Sequence, residues 1–274
     1  MQNHTGCTLN LNEPLPHVIF NGWKDDAYMK HCFTTKKGGK SKDEWESLNL
    51  GFNRGDAQEN VLANYQIVCD FLEVPLDTVV LSKQVHETQI QEVTKNDAGN
   101  GIKYANKWES VDGIYTKERG ITLVTHYADC VPLFFYAPKY GIIGMAHAGW
   151  RGTVHEIATK MINIWHNKHQ IPLADIEVGI GPSIGPCCFE VNEDVASIFI
   201  EKFGNTHFIV KNKDNFKYHI DLWECNRTLL INAGIKDSNI AKAEMCTCCQ
   251  SDVFYSHRKT QGKRGTLGAF MYLK

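Results

Sequence analysis

The sequence predicts an α+β protein, a layered α/β sandwich of mixed β-sheets in which residues 1–274 form a single domain. Three observations predict it. Strand-length apolar runs and segments of helical apolar spacing alternate without a regular βαβ rhythm, so a doubly wound parallel sheet is not expected. No Gly-x-Gly-x-x-Gly follows a strand and no Gly-x4-Gly-Lys-Ser/Thr occurs, which leaves dinucleotide-binding and P-loop folds without support. No repeat, low-complexity tract or Pro/Ser/Gly linker divides the 274 residues, and at that length one core buries roughly three quarters of the unfolded surface.

An apolar entry at residues 17–20 and a strand near 28–35 lead into a polar, glycine-bearing loop at 36–53. Asp56 is placed to cap a helix whose apolar residues Val61, Tyr65, Val68 and Leu72 are spaced by four, three and four, and Pro75 stops it. A β-rich block follows, with strands at 79–81, 121–125, 131–137 and 142–148. Thr153-Val154-His155-Glu156 reads as a capping box ahead of Ile157, Met161, Ile164 and Trp165, so a long helix is expected to about residue 168. The rest comprises a strand at 176–180, a Gly/Pro-dense loop at 181–187, helices near 193–203 and 221–233, and late strands ending at Tyr272; Gly234 sits in the helix-stop position.

Composition narrows the function. Lys+Arg 29 against Asp+Glu 31 leaves a net charge of −2, without the basic footprint of a nucleic-acid binder. The longest apolar run, Val131-Pro132-Leu133-Phe134-Phe135-Tyr136-Ala137-Pro138, is far short of the roughly 18 to 20 residues of a membrane helix. The first residues also lack a signal-peptide pattern, so a cytoplasmic protein with no membrane partner is expected. In that setting ten cysteines point to thiols kept reduced for metal or catalysis, not to a disulfide framework.

Cys7, Cys32, Cys69 and Cys225 read as small core hydrophobes. Cys130, the Cys187-Cys188 pair and Cys246-x-Cys248-Cys249 are the remaining groups. The last two together hold enough thiols for a structural zinc site, although only Cys246 and Cys249 have Cys-x2-Cys spacing; packing of two loops is the alternative. Gly181-Pro182-Ser183-Ile184-Gly185 matches the Gly-x-Ser-x-Gly pattern, but Pro186 stands where a nucleophile elbow needs a helix to begin.

The strands at 131–137 and 142–148 are expected to form a hairpin around Pro138-Lys139-Tyr140-Gly141. In that register His147 faces Pro132, and Cys130 lies two residues beyond, roughly 7 Å along a strand and on the same face. His86, after another apolar strand, supplies a third group. Two histidines and one cysteine match the three protein ligands of a catalytic zinc that keeps its fourth position open. Taken singly, each also fits a satisfied core residue. The same Cys130 and His147 equally suit a metal-free cysteine hydrolase, as nucleophile and base, and a zinc-stabilised binding protein is the non-enzymatic alternative.

Ala128-Asp129-Cys130-Val131-Pro132, His147-Ala148-Gly149-Trp150-Arg151-Gly152, Ser47-Leu48-Asn49-Leu50-Gly51 and the stretch from Ile180 through Cys187-Cys188 to Val191 resemble the signature blocks of one bacterial family. It is the family of zinc-dependent purine nucleoside phosphorylases of the YfiH/YlmD type, formerly described as laccase-domain or multicopper polyphenol oxidoreductases. The resemblance runs from about Phe33 to the C-terminus and includes Phe254-Tyr255-Ser256-His257-Arg258; Val85-His86-Glu87 departs from the more usual Val-His-Gly. It implies His86, Cys130 and His147 as metal ligands, with zinc as the cofactor. It further implies phosphorolysis of adenosine, inosine, guanosine and methylthioadenosine with phosphate as co-substrate, and deamination of adenosine.

Each chemistry asks for its own groups. For deamination, Asp129 is the nearest carboxylate to Cys130 in sequence and the candidate proton shuttle, provided a local turn brings it round. For phosphorolysis, Arg151, in a glycine-flanked turn entering a helix, is the first candidate for phosphate. Arg54 and Arg258 come second, and Asn49 is a candidate hydrogen-bond partner for ribose or base. An ordinary multicopper oxidase is not expected, because none of the twelve histidines forms a His-x-His pair. One His, His, Cys site can still take copper, since most sites prefer Cu²⁺ to Zn²⁺.

Overall fold

The computed structural model describes residues 2–4 and 6–274. Side-chain alternation along two long strands decides the layering. All seven residues of Val131–Ala137 are buried, as are all seven of Ile142–Ala148. Phe134, Tyr136, Ile143 and Met145 pack into one core, while Leu133, Phe135, Ala137, Ile142 and Ala146 pack into another on the opposite face. Strands covered on both faces read as continuous apolar runs, and in this hairpin His147 is the only Asp, Glu, His, Lys or Arg within the two strands.

These strands are the centre of a six-stranded sheet ordered Ile240–Lys242, Glu177–Ile180, Val131–Ala137, Ile142–Ala148, Gly113–Thr116 and Ile90–Glu92. Its inner pairs are antiparallel and both edge pairs are parallel. A seven-stranded sheet lies against it. That sheet runs Gln2–His4, Cys7–Asn10, His17–Phe20, Met29–Thr34, Leu267–Leu273, Thr122–Tyr127 and Val79–Leu81, with only the last pairing parallel. Leu123, Ala269 and Met271 join the inter-sheet core, whereas Val124 and Phe270 turn outward to Val61, Tyr65 and Val68 of the helix Gln58–Leu72. On the far side, Ile157, Met161 and Trp165 of the helix Ile157–His169 cover the six-stranded sheet. The order helix, sheet, sheet, helix is the expected sandwich with mixed sheets. A third, three-stranded sheet holds Glu190–Val191, Tyr218–Ile220 and Ile209–Lys211. Among the described residues no helix is long and apolar enough to cross a membrane.

Two helix starts differ from the sequence reading. The first helix is capped at Ala57, not at Asp56; the Asp56 carboxylate instead accepts from Ser41 Oγ at 2.6 Å and Asn49 Nδ2 at 2.9 Å, tying the preceding loop to the helix entry. The capping box at Thr153 does not form. A short helix, Trp150–Val154, already begins at Gly149, and the chain then breaks at Glu156, whose φ of 60° is left-handed, before Ile157–His169 starts. Thr153 is fully buried, and its hydroxyl accepts from Asn226 Nδ2 at 3.1 Å. Packing against the helix Leu222–Asn232 therefore takes the hydroxyl that local capping would use. Asp221, by contrast, caps that helix through Trp223 N and Glu224 N, as its sequence position suggests.

Candidate metal centre and its cleft

The hairpin register places the first two groups. His147 pairs with Pro132, so its side chain faces the inter-sheet side on which Ile143 and Met145 lie. Cys130 comes just before the strand Val131–Ala137, after a turn in which Asp129 has a φ of 89°. His86 lies in the loop after Val79–Leu81 and is itself left-handed, at φ 66°. Its neighbour Glu87 does not have a positive φ, so its backbone does not demand glycine. The ligand atoms of His86, Cys130 and His147 all lie within 4.8 Å of one another.

One residue that sequence reasoning missed holds two of the three. Asp112 is fully buried, and its carboxylate accepts from the backbone N–H of Val85, His86 and Glu87, each at 3.0 Å. It also meets His147 Nδ1 at 2.8 Å, while its carbonyl accepts from His147 N at 2.7 Å. Burial alone would raise the Asp112 pKa, but His147 and the loop N–H groups hold it below the usual carboxylate range. With Nδ1 committed to Asp112, His147 keeps Nε2 for a ligand, the arrangement that orients metal-bound histidines. In sequence the only signal was an acidic residue just before an apolar strand.

Burial opposes ionisation of the Cys130 thiol, yet the charge and hydrogen bond of His147, followed by His86, bring it down to about 6. Burial likewise opposes charge on His147, and Cys130 and Asp112 outweigh it, raising it to about 9. Without a metal the pair therefore favours thiolate and imidazolium near neutral pH. Space for an ion comes from Gly149. A Cβ there would sit 3.2 Å from Cys130 Sγ, 3.1 Å from His86 Cδ2 and 3.7 Å from His147 Cε1, so the missing side chain leaves a cradle at the ligands' convergence. Two nitrogens, one polarisable sulfur and a braced histidine suit a borderline-soft divalent metal.

The three groups line a cleft of about 1120 Å³ together with Arg54, Arg258 and Arg264. Asp129 is the one carboxylate in that lining, against five Lys and Arg side chains, so the cleft attracts anions. Arg264 was missed in the sequence, although it is as closely flanked by glycine as Arg151. It is 8% exposed, its Nε has no hydrogen-bond partner, and burial together with Arg54 lowers its pKa to about 10. No ion pair among the described residues engages Arg54, Arg258 or Arg264. Burial, then His147 and the arginines, push His126 down to about 4, which keeps it a neutral group of the cleft wall.

Two candidates lie elsewhere. Arg151 is exposed and stacks on Trp150, 4.5 Å from the ring centroid; Trp150 borders the cleft and Arg151 does not. Asn49 is fully buried, giving its amide to Gly51 O and Asp56 and accepting from the N–H of Gly51 and Thr266, so no polar atom remains for a ligand. It ties a loop in place. Asp129 borders the cleft, but its oxygens accept from Thr247 Oγ1 and Arg258 N, both at 2.7 Å. Ser183, of the Gly-x-Ser-x-Gly match, is buried and accepts from Trp223 Nε1 at 2.6 Å, so it is no nucleophile. Cys7, Cys32, Cys69 and Cys225 are fully buried core residues.

Fold and site together define a class: a sandwich of two mixed sheets between helices, with one His, Cys, His donor set at the mouth of a cationic cleft. The chain belongs to the family described as multi-copper polyphenol oxidoreductase laccase, whose model matches residues 30–274. It is 41% identical over 240 residues to purine nucleoside phosphorylase YlmD of Geobacillus stearothermophilus, covering 87% of this chain and 88% of that protein. The Bacillus subtilis protein of the same name is 37% identical, with 88% and 87% covered. Among solved structures, Bacillus licheniformis hypothetical protein YfiH superposes with a TM-score of 0.90 at 34% identity, covering 97% of this chain and 99% of that one. YlmD from Geobacillus stearothermophilus gives 0.87 at 37% identity, covering 100% and 98%.

Proposed function

We propose that this chain is a zinc-dependent purine nucleoside phosphorylase acting on adenosine, inosine, guanosine and S-methyl-5′-thioadenosine, with a secondary hydrolytic deamination of adenosine to inosine. The observation that carries the reading is the meeting, in one cleft, of the Asp112-braced His86, Cys130 and His147 donors with arginines that have no carboxylate partner. The relatives named purine nucleoside phosphorylase supply the substrate class. A cytoplasmic setting, where nucleosides and phosphate are at hand and thiols stay reduced, belongs to the same proposal.

When bound at His86, Cys130 and His147, zinc supplies a Lewis acid that stabilises negative charge developing in the transition state. The other tasks fall to side chains. Arg264, fixed by hydrogen bonds from Nη1 to Gly265 O and Thr266 Oγ1, borders the cleft with Arg54 and Arg258, and the three guanidinium groups supply the positive charge that phosphate needs. Phe52, Trp150 and Phe189 give the purine apolar faces. Asp129 accepts one hydrogen bond on each oxygen, from Thr247 Oγ1 and the Arg258 N–H, which fixes its orientation and limits its swing toward substrate, so phosphorolysis is expected to outpace deamination.

The decisive assay supplies adenosine with and without phosphate and reads adenine, inosine and hypoxanthine separately, beside metal analysis. Adenine release should require phosphate, and Cys130→Ala should lose both activities with the fold intact. Arg54→Ala and Arg264→Ala should raise the KM for phosphate and spare deamination. Absence of phosphate-dependent base release sinks the proposal, and equal loss of both activities removes these arginines as phosphate contacts. The Cys130 thiolate paired with His147 favours one second reading, a metal-free cysteine hydrolase. A His86→Ala protein with full activity and no zinc would select it.

A further inference from the structure

We propose that Cys187, Cys188, Cys246 and Cys249 form a second metal site, a tetrathiolate centre for one zinc ion that staples two loops behind the cleft. It does not rest on the reading of the cleft. The four Sγ atoms all lie within 4.8 Å of one another, and Cys187 and Cys188 each bring Sγ to 3.4 Å from Cys249 Sγ. All four are free thiols, and a disulfide would need about 2.05 Å. Four sulfurs held tetrahedrally around zinc at about 2.3 Å are roughly 3.8 Å apart, within the span seen here.

The backbone is shaped for such an ion. Cys246 and Cys249 have the Cys-x2-Cys spacing of a zinc knuckle, and Cys246 Sγ accepts from Gly185 N at 3.2 Å and from Cys249 N at 3.5 Å. N–H groups aimed at sulfur offset the charge of clustered thiolates. Cys187 and Cys188 arrive from the opposite loop, which is tied to the first by Ser183 N to Met245 O and Thr247 N to Ser183 O. A side chain at Gly185 would put its Cβ 2.8 Å from the Trp223 ring and 3.3 Å from Cys187 Sγ, so glycine is what lets the loops close. Cys187 and Cys249 are exposed, giving the ion an entry path, while Cys246 is buried.

The staple has a structural purpose. One loop carries Ile184 and Phe189 of the cleft wall, and the other leads to His257 and Arg258. Arg258 Nη1 donates to Cys188 O at 2.8 Å, so the ion would fix the carbonyl that positions this arginine.

Metal content of the full chain, purified with reductant and zinc, tests this. Wild type should hold about two zinc ions per chain, Cys130→Ala about one, Cys187→Ser/Cys249→Ser about one, and the triple variant none. X-ray absorption of Cys130→Ala should show four sulfurs at about 2.3 Å. The proposal is overturned if Cys130→Ala holds no zinc, if its ion is iron or is bound through nitrogen or oxygen, or if Cys187→Ser/Cys249→Ser keeps both ions. Should that double variant fail to fold, the Cys130→Ala spectrum decides alone.

Discussion

Asp112 is a single buried carboxylate that satisfies three loop N–H groups and one imidazole, so it sets the position of His86 and the free nitrogen of His147 together. Asp112→Asn keeps the shape but replaces one acceptor oxygen with a donor. Its zinc affinity is expected to fall about 10- to 100-fold, read by competition with a chromophoric chelator. Unchanged affinity would reduce Asp112 to a packing residue. Gly149→Ala probes the cradle itself: its methyl group would stand 3.2 Å from Cys130 Sγ, so zinc binding should weaken while circular dichroism stays the same. Full zinc occupancy in that variant would show that the ligands converge elsewhere.

At the scale of elements, the break between Trp150–Val154 and Ile157–His169 lets the chain turn from the metal centre onto the back of the sheet. Glu156 holds that break in a left-handed conformation and pairs with Lys202 across a partly exposed surface, where an ion pair adds little. Glu156→Gly and Glu156→Val both delete the pair but differ in backbone tolerance. The valine variant should be less stable than the glycine variant by about 1–2 kcal/mol in urea unfolding, because β-branching penalises positive φ. Equal stabilities would mean that the break relaxes away in the variants.

At the scale of the whole molecule, the two sheets are in tight contact where Gly179 of one faces Phe20 of the other. A Cβ on Gly179 would lie 2.5 Å from the Phe20 ring, which itself packs edge-on against Phe134 at 5.2 Å. Gly179→Ala must push rigid sheets apart, so a loss of about 1–3 kcal/mol is expected, seen as a lower thermal midpoint. Phe20→Leu in the same chain should recover part of it by making room. A neutral Gly179→Ala would indicate that the sheets slide without cost.

Much of the hairpin and its chemistry was legible in the sequence. The turn at Pro138 to Gly141 fixes a period-two register, so the pairing of His147 with Pro132 and the nearness of Cys130 followed from counting. Apolar runs announced the doubly covered strands, and helical spacing announced Gln58–Leu72 and Ile157–His169. Tertiary structure alone decided the rest. Asp112 reaches His147 across 35 positions, and Arg264 enters the cleft from near the end of the chain; no local period encodes such meetings. Arg151 and Asn49 looked functional by their neighbours, yet helix rotation turns one outward and loop hydrogen bonds saturate the other. Local sequence thus determined which elements form and which face of each is apolar, because those follow from backbone periodicity. Only the closing of one sheet on the other determined which polar groups share a cavity, because that depends on contacts between distant segments.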